Sequence, residues 1–174
     1  MLEARDFTER IVPYLHAGGF VSADNLADLT DKEKQLLEAA APLAQSRMQV
    51  LSQAKSLLGF LFIDDQVEYQ EKPLRKLKDN APQVLEAAAK VLAELPEGKV
   101  GEAGTIGDPE AVKAAMSKVM VEEMGLKPRV AFQPLFMAIT GSKVSIPGFD
   151  SIGILGKDAS IKRLRKLQNH LEQA

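Results

Sequence analysis

Apolar residues recur along this chain every three or four positions, the spacing that places them on one face of an α-helix. Little of the sequence alternates apolar and polar residues as a half-buried strand requires. The pattern therefore predicts an all-α protein of the helical-bundle type. The clearest helical windows begin at Asp6, near Thr30 or Asp31, near Val84, at Asp108 and at Asp158.

Capping signals mark several of these helix starts. Asp6 can cap the first helix with its carboxylate. At the Asp108-Pro109-Glu110 start, Asp can cap, Pro suits the first helical position and Glu favours the positive end of the helix dipole. Pro42 predicts a break or kink inside the second helix.

The apolar period is lost between Phe62 and Pro73, where charged residues gather. We therefore predict two small helical subdomains, one over residues 1–64 and one over residues 65–174. In the second, one apolar stripe is typical of a core face and comprises Val112, Ala115, Met116, Val119, Met120 and Met124. In the terminal helix the side chains expected to pack inward are Ile161, Leu164, Leu167 and Leu171, and those expected to project outward or to the flanks are Lys162, Arg163, Arg165 and Lys166.

The composition is that of a protein with a core, since 45% of the 174 residues are apolar. The chain has no Cys, which excludes a disulfide framework and a Cys-based zinc site. Its two histidines, His16 and His170, lie near opposite ends and give little support to a metal site or a His-based triad. No secretory or membrane-spanning apolar run is present, so we expect a cytoplasmic protein.

The net charge of −2 conceals an uneven distribution. Residues 1–124 hold 14 Lys and Arg against 21 Asp and Glu, whereas residues 125–170 hold 8 against 2. A basic region in an otherwise acidic protein fits a polyanion bound at one site. A solvated helix face is the alternative that charge alone leaves open.

Several fragments resemble catalytic motifs without meeting their requirements. The glycines at 101, 104 and 107 lack the following Gly-Lys-Ser/Thr of a phosphate-binding loop, and we expect a flexible linker. The pairs Asp64-Asp65 and Glu122-Glu123 are adjacent in sequence and do not converge on one substrate atom. No nucleophile with a plausible base stands out, so the sequence argues against a self-contained active site.

A series of short motifs carries a family resemblance over about 160 residues. In chain order the motifs are Asp6 to Arg10 with Pro13 to Leu15, Ala40 to Leu43 with Arg47, Phe60 to Phe62, Gly125 to Arg129, Gln133 to Leu135, Ile139 to Ser142, Leu155 to Asp158 and Arg163-Leu164. Together they resemble the C-terminal anticodon-binding region of bacterial glutamyl-tRNA synthetases, which are class I aminoacyl-tRNA synthetases.

The resemblance implies a fragment that recognises tRNA(Glu) in protein biosynthesis. ATP and Mg²⁺ would serve the glutamate–tRNA ligase reaction in a catalytic domain outside this sequence, so we expect this fragment to need no cofactor and to be inactive alone. The partners it implies are tRNA(Glu) and that catalytic domain, with no role for DNA or a membrane.

The resemblance also implies individual tRNA contacts. Arg47, fifteen residues before Phe62, matches the Arg that the family uses against an anticodon cytosine, a role suited to a guanidinium. Phe136 departs from the family pattern, which usually has Arg after Pro-Leu, and an aromatic ring could stack on an unpaired base instead. The remaining anticodon candidates are Lys118, for which a solvated helix Lys is the alternative, and Ser145, Ile146 and Gly148. The candidates for contact with the tRNA backbone are Arg129, Lys143, Lys157, Arg163 and Arg165.

Two other functions remain open from sequence. A stand-alone duplicate of this domain would act as a tRNA-binding adaptor. A helical protein-interaction module would dock its basic terminal helix on an acidic partner. The sequence also leaves open whether the parent enzyme charges tRNA(Gln).

Overall fold

A computed structural model describes residues 3–64, 66–142 and 145–173, and within them all regular structure is helical. The all-α prediction is confirmed. The α-helices are α1 (Ala4–Ala17), α2 (Asp31–Gln45), α3 (Ala54–Leu58), α4 (Glu71–Arg75), α5 (Ala81–Glu94), α6 (Pro109–Met116), α7 (Pro128–Thr140), α8 (Gly148–Leu155) and α9 (Lys157–Glu172). Short 3₁₀ turns cover Leu26–Asp28, Leu51–Gln53 and Gly59–Phe62.

The described residues divide into two compact units. Unit 1 contains residues 3–64 and takes in residues 145–147 as well, whereas unit 2 contains residues 66–142 and 148–173. The sequence predicts a single boundary between residues 64 and 65, and it does not predict that residues 145–147 rejoin unit 1. The return depends on contacts between residues distant in sequence, which local periodicity does not encode.

Unit 1 is built around α1, which packs against α2 and α3. The helix α2 starts where the sequence predicts, because Thr30 accepts a hydrogen bond from the Glu33 amide and the Glu33 carboxylate accepts one from the Thr30 amide. The buried apolar residues of the two long helices are Phe7, Ile11, Val12 and Leu15 in α1 and Leu37, Ala40, Ala41 and Ala44 in α2.

Two local predictions in unit 1, the Asp6 cap and a break at Pro42, are wrong. The N-cap of α1 is Glu3, so Asp6 lies inside the first turn. The helix α2 continues through Pro42 to Gln45 without a break. Pro42 removes one backbone N–H donor, but tertiary packing of the buried alanines on either side keeps the helix intact.

Unit 2 is centred on the pairing of α5 with α9, and α7 packs on both. The helix α6 starts as predicted, with the Asp108 carboxylate accepting from the Glu110 amide at 3.1 Å. Val112, Met116 and Met120 of the predicted stripe are buried.

The helix does not continue as predicted to Met124. From Ser117 to Glu123 it widens into a π-helix, in which the Met124 amide donates to the Val119 carbonyl five residues earlier at 3.0 Å. The wider turn moves Met124 off the buried face, and 39% of this residue is exposed. Periodicity could not predict this change, because π and α segments share the same residue types.

The glycines at 101, 104 and 107 form a closed loop rather than an open linker. The Gly101 amide donates to the Gly107 carbonyl at 2.7 Å, and the Ile106 amide donates to the Pro96 carbonyl at 2.8 Å. Ile106 is buried. This apolar anchor within the loop ties it to the core of unit 2.

The end of α7 is fixed by Gly141, whose φ of +71° is the left-handed conformation of a helix C-cap. The Gln70 amide donates to the Gly141 carbonyl at 2.7 Å, so the segment ahead of α4 lies directly against this turn. A Cβ atom at Gly141 would collide with the Glu68 carbonyl oxygen. Glycine is therefore required at 141 for its positive φ and for the close approach of the Glu68 backbone.

We predict that Gly141→Ala lowers the free energy of unfolding by roughly 2–4 kcal/mol, through backbone strain plus displacement of the Glu68 backbone. The matched control is Gly125→Ala, since Gly125 has the same φ of +71° but an open surrounding, and should cost only about 1 kcal/mol. Urea unfolding of the two variants measures the difference. Equal losses of unfolding free energy in the two variants would contradict the close approach of the Glu68 backbone to Gly141.

A second prediction concerns the start of α2. Glu33 is partly desolvated, which raises its pKa, but hydrogen bonds from Ser22 and Thr30 outweigh this effect and hold the pKa below its ordinary value of 4.5. A lowered folded-state pKa gives stability that is present above the unfolded-state value and lost as the pH falls through the folded-state value. We expect Glu33→Gln to cost about 1 kcal/mol at neutral pH and progressively less below pH 4.5.

Unfolding measured from pH 7 to pH 3 tests this dependence. Glu38→Gln, at an exposed position on the same helix, is the control and should show little change at any pH. A cost for Glu33→Gln that is constant with pH would show that its charge is not involved.

Candidate nucleic-acid interface

Three of the residues predicted from sequence to contact RNA come together in unit 1. Arg47 is exposed in the loop after α2, and its Nη1 donates to the Ser145 carbonyl oxygen at 3.1 Å. The Ser145 hydroxyl donates to the carbonyl of the buried Ile146 at 2.8 Å. Arg47 and Ser145 are separated by 98 positions in the chain, so the fold itself creates this group.

The loop that carries Arg47 has a fixed backbone. The Arg47 amide donates to the Ala44 carbonyl at 2.9 Å. The next residues of the loop are held as well, since the amides of Gln49 and Val50 donate to the Gln53 side-chain oxygen at 2.7 and 3.2 Å. A guanidinium has five N–H donors, so the single bond to Ser145 orients the group and leaves further donors for a ligand.

Two more predicted residues come together in unit 2. Phe136 of α7 is half-buried in an aromatic cluster that we define as Phe132, Phe136 and Phe149. The Phe136 and Phe149 ring centroids are 5.0 Å apart with the rings nearly perpendicular, at 78°. A Cβ atom at Gly148 would collide with the Phe136 ring, so the ring position requires glycine at 148.

Lys118 and Arg129 are exposed on unit 2. Lys118 lies in the π-helical segment Ser117–Glu123, a rare backbone form that is frequent at functional sites. Arg129 is in the first turn of α7. Neither residue forms an ion pair with another described residue, so both cations remain accessible.

The basic C-terminal residues differ in their surroundings. Arg165 is exposed and donates to the Gln168 side chain at 3.2 Å, whereas Lys157 is half-buried and its Nζ donates to the Ala93 carbonyl at 3.3 Å. Lys143 lies outside the described residues.

Arg163 does not project outward, and that prediction is wrong. The residue is 1% exposed, and its Nη1 donates to the Ile139 carbonyl in the last turn of α7 at 2.6 Å. Its neighbours on the buried face of α9 are Ser160, Leu164 and Leu167. The buried face is wider than the predicted leucine stripe, and a carbonyl at a helix C-terminus needs a donor from outside the helix. Arg163 therefore holds α9 against α7 and is not available to RNA phosphate.

Tyr69 is close to this buried cation. Burial raises the pKa of the Tyr69 hydroxyl, and the positive charge of Arg163 opposes part of that rise. The Tyr69 ring also contacts His170 of α9, with ring centroids 5.4 Å apart. Both contacts tie the segment before α4 to α9.

Further exposed cations lie between residues 72 and 78, in the run Glu71 to Lys78 with the sequence EKPLRKLK, and the charge count over residues 1–124 conceals them. A count of charges in short windows of the sequence would have found this group, since four cations fall within seven positions.

No group of three or more His, Asp or Glu side chains placed to hold a metal ion occurs among the described residues. The helices of the described ranges include none that is long and apolar enough to cross a membrane.

Comparison with known proteins relates these features to one family. A family model described as an anticodon binding domain matches residues 6–168. The glutamate–tRNA ligase of Bifidobacterium adolescentis is 41% identical over 172 residues, which are 98% of this chain and 33% of that protein. The glutamate–tRNA ligase of Kocuria rhizophila is 39% identical, with 98% of this chain and 31% of that protein covered. The chain thus spans about a third of the length of these curated relatives.

A solved structure has the same fold. The crystal structure of a glutamate tRNA ligase from Elizabethkingia meningosepticum, in complex with its amino acid, superposes with a TM-score of 0.67 at 17% sequence identity. The match covers 97% of this chain and 31% of that one.

The burial of Arg163 gives a testable prediction. We expect Arg163→Ala to lower the free energy of unfolding by about 3 kcal/mol, because it removes packing and leaves the Ile139 carbonyl without its charged donor. Arg165→Ala, two positions along the same helix and exposed, should change it by less than about 0.5 kcal/mol. Thermal and urea unfolding compare the pair, and similar values would contradict a buried structural role for Arg163.

Proposed function

This chain belongs to the family of anticodon binding domains, and from this premise we propose that it binds tRNA(Glu) and reads unpaired bases of the anticodon. It would serve as the anticodon-binding part of a glutamate–tRNA ligase. The ATP-dependent attachment of glutamate would occur in a catalytic domain outside this sequence, which is then the natural protein partner of this chain.

One observation carries the proposal: the hydrogen bond from Arg47 to the Ser145 carbonyl. It joins two residues that the family resemblance marks as anticodon contacts and that lie 98 positions apart in the chain. A guanidinium oriented by a backbone carbonyl loses little further freedom when it binds a base, which favours specific recognition.

The chemistry of Arg47 fits an unpaired pyrimidine. The guanidinium plane presents N–H donors in a fixed fork, and cytosine offers acceptors on its Watson–Crick edge once it is unstacked. Hydrogen-bond readout of this kind distinguishes one base from another, unlike contacts with phosphate.

The aromatic cluster of unit 2 supports a different kind of contact. Phe136, held by Phe149 and Gly148, offers a ring for stacking, and base–aromatic stacking contributes roughly 1–3 kcal/mol per base. Stacking tolerates any base. We assign Phe136 to affinity and Arg47 to discrimination.

The remaining cations are assigned to the sugar–phosphate backbone. Arg129 and Arg165 are exposed, as is Lys118, and each can neutralise a phosphate without reading sequence. Lys157 and Lys143 remain candidates from sequence.

The test is binding of the purified chain to tRNA(Glu) and to the same tRNA with its anticodon replaced, at two salt concentrations. We predict that Arg47→Ala reduces the preference for the native anticodon by roughly 5- to 100-fold, the range expected for loss of one good base contact. Arg10→Ala, at an exposed Arg on α1 of the same unit, is the control and should keep the preference.

The outcomes separate the possible roles. Equal weakening toward both tRNAs would make Arg47 a backbone contact. A wild-type chain that binds both tRNAs equally would refute anticodon reading and favour a tRNA-binding adaptor. Absence of tRNA binding would favour the protein-interaction module.

A further inference from the structure

A dense run of cations lies on unit 2 outside the residues considered so far. Lys72, Arg75, Lys76 and Lys78 fall within seven positions, without an acidic residue among them, and all four are exposed. We call residues 72–78 the basic segment. It comprises most of α4 and the turn that follows.

Most of this charge is not neutralised within the unit. Arg75 pairs with Glu71 one helical turn away, whereas Lys72, Lys76 and Lys78 form no ion pair with another residue of the ranges described. Lys72 and Lys76 are four positions apart, a spacing at which like charges on a helical turn repel one another. Such repulsion costs a little stability in the free protein, and an anionic ligand would relieve it.

The backbone leading into the basic segment is firmly attached to unit 2. Val67 is buried, Tyr69 contacts the ring of His170, and the Gln70 amide donates to the Gly141 carbonyl at 2.7 Å. The helix α4 begins at the next residue, Glu71. The lysines are therefore presented from a fixed position and not from a loose loop.

This attachment places the backbone just ahead of the basic segment against the turn that ends α7, the helix that carries Phe136. Gly141 follows Phe136 by five residues, about 7.5 Å along a helix axis. The Thr140 hydroxyl donates to the Phe136 carbonyl at 2.9 Å and so links the two positions. A polynucleotide that runs from a base stacked on Phe136 toward this turn would bring its phosphates to the basic segment.

We propose that Lys72, Lys76 and Lys78 bind the phosphate backbone of the RNA whose anticodon this chain reads. The inference rests on the proposed function and adds a second binding region to it. Lysine ammonium groups act as point charges that suit phosphate and carry little base information. An acidic protein would also be attracted to these cations, but the attachment of their segment at the end of the helix that carries Phe136 favours RNA.

The experiment compares the full 174-residue chain with a triple variant, Lys72→Gln, Lys76→Gln and Lys78→Gln. Binding to tRNA(Glu), with native and with replaced anticodon, is measured between 50 and 200 mM salt. Loss of three phosphate contacts should reduce the slope of log affinity against log salt by about 2.1–2.7, so that the drop in affinity across this range becomes roughly 20- to 40-fold smaller. The ratio of affinities for the two anticodons should not change.

The matched control removes three other exposed lysines of the same unit, by Lys90→Gln, Lys99→Gln and Lys113→Gln. It alters net charge equally and should leave the slope close to the wild-type value. Thermal unfolding of both triple variants establishes that each is folded at the assay temperature.

Five results are decisive. A smaller slope in the basic-segment variant alone supports the proposal. Equal slopes in the two triple variants overturn it, as does a change in the anticodon ratio. In a parallel binding assay with polyglutamate as the acidic probe, loss of polyglutamate binding with tRNA binding intact would assign the segment to an acidic protein partner and overturn the proposal. A wild-type chain indifferent to the anticodon, whose slope still falls on mutation, would refute the proposed function and leave the phosphate contact standing.

Discussion

The hydrogen bond from the buried Arg163 guanidinium to the Ile139 carbonyl holds together the part of unit 2 on which the proposed RNA surface depends. Burying a cation is costly unless it is hydrogen-bonded, and the negative end of a helix dipole is a favourable partner for it. The bond fixes α9 to the last turn of α7. The segment before α4 attaches two residues further along, at the Gly141 carbonyl, so that two neighbouring contacts position α9 and this segment on the end of α7.

This organisation separates residues that hold the scaffold from residues that can reach a ligand. Arg163 and Arg165 have the same chemistry and lie two positions apart, yet one is buried and the other exposed. The difference comes from the 100° rotation per residue in α9, which turns 163 toward Leu164 and Leu167 and turns 165 away. Charge composition alone cannot assign roles to the basic residues of this helix.

Local signals predicted those parts of the fold that local chemistry determines. The capped starts at Thr30 and Asp108 follow from side chains that satisfy free amides within three residues. Pro42 misled the prediction because tertiary packing outweighs the loss of one backbone bond. The contact between Arg47 and Ser145 was beyond local reasoning, since it joins positions 98 residues apart. The resemblance selected both residues without indicating that they touch.

Phe136 shows why a departure from the family pattern is best judged together with its neighbours. The resemblance leads one to expect Arg at this position, but here the ring packs against Phe132 and Phe149 and excludes any side chain at Gly148. An Arg at 136 would lose both ring contacts. Phe136 therefore belongs together with Phe132, Gly148 and Phe149 as one packed group. A stacked ring gives affinity to any unpaired base, whereas a guanidinium fork distinguishes bases by their edges. Under the proposed function, discrimination between anticodon bases therefore depends more heavily on Arg47. The hydrogen bond to the Ser145 carbonyl orients Arg47 for this role, while Phe136 contributes affinity.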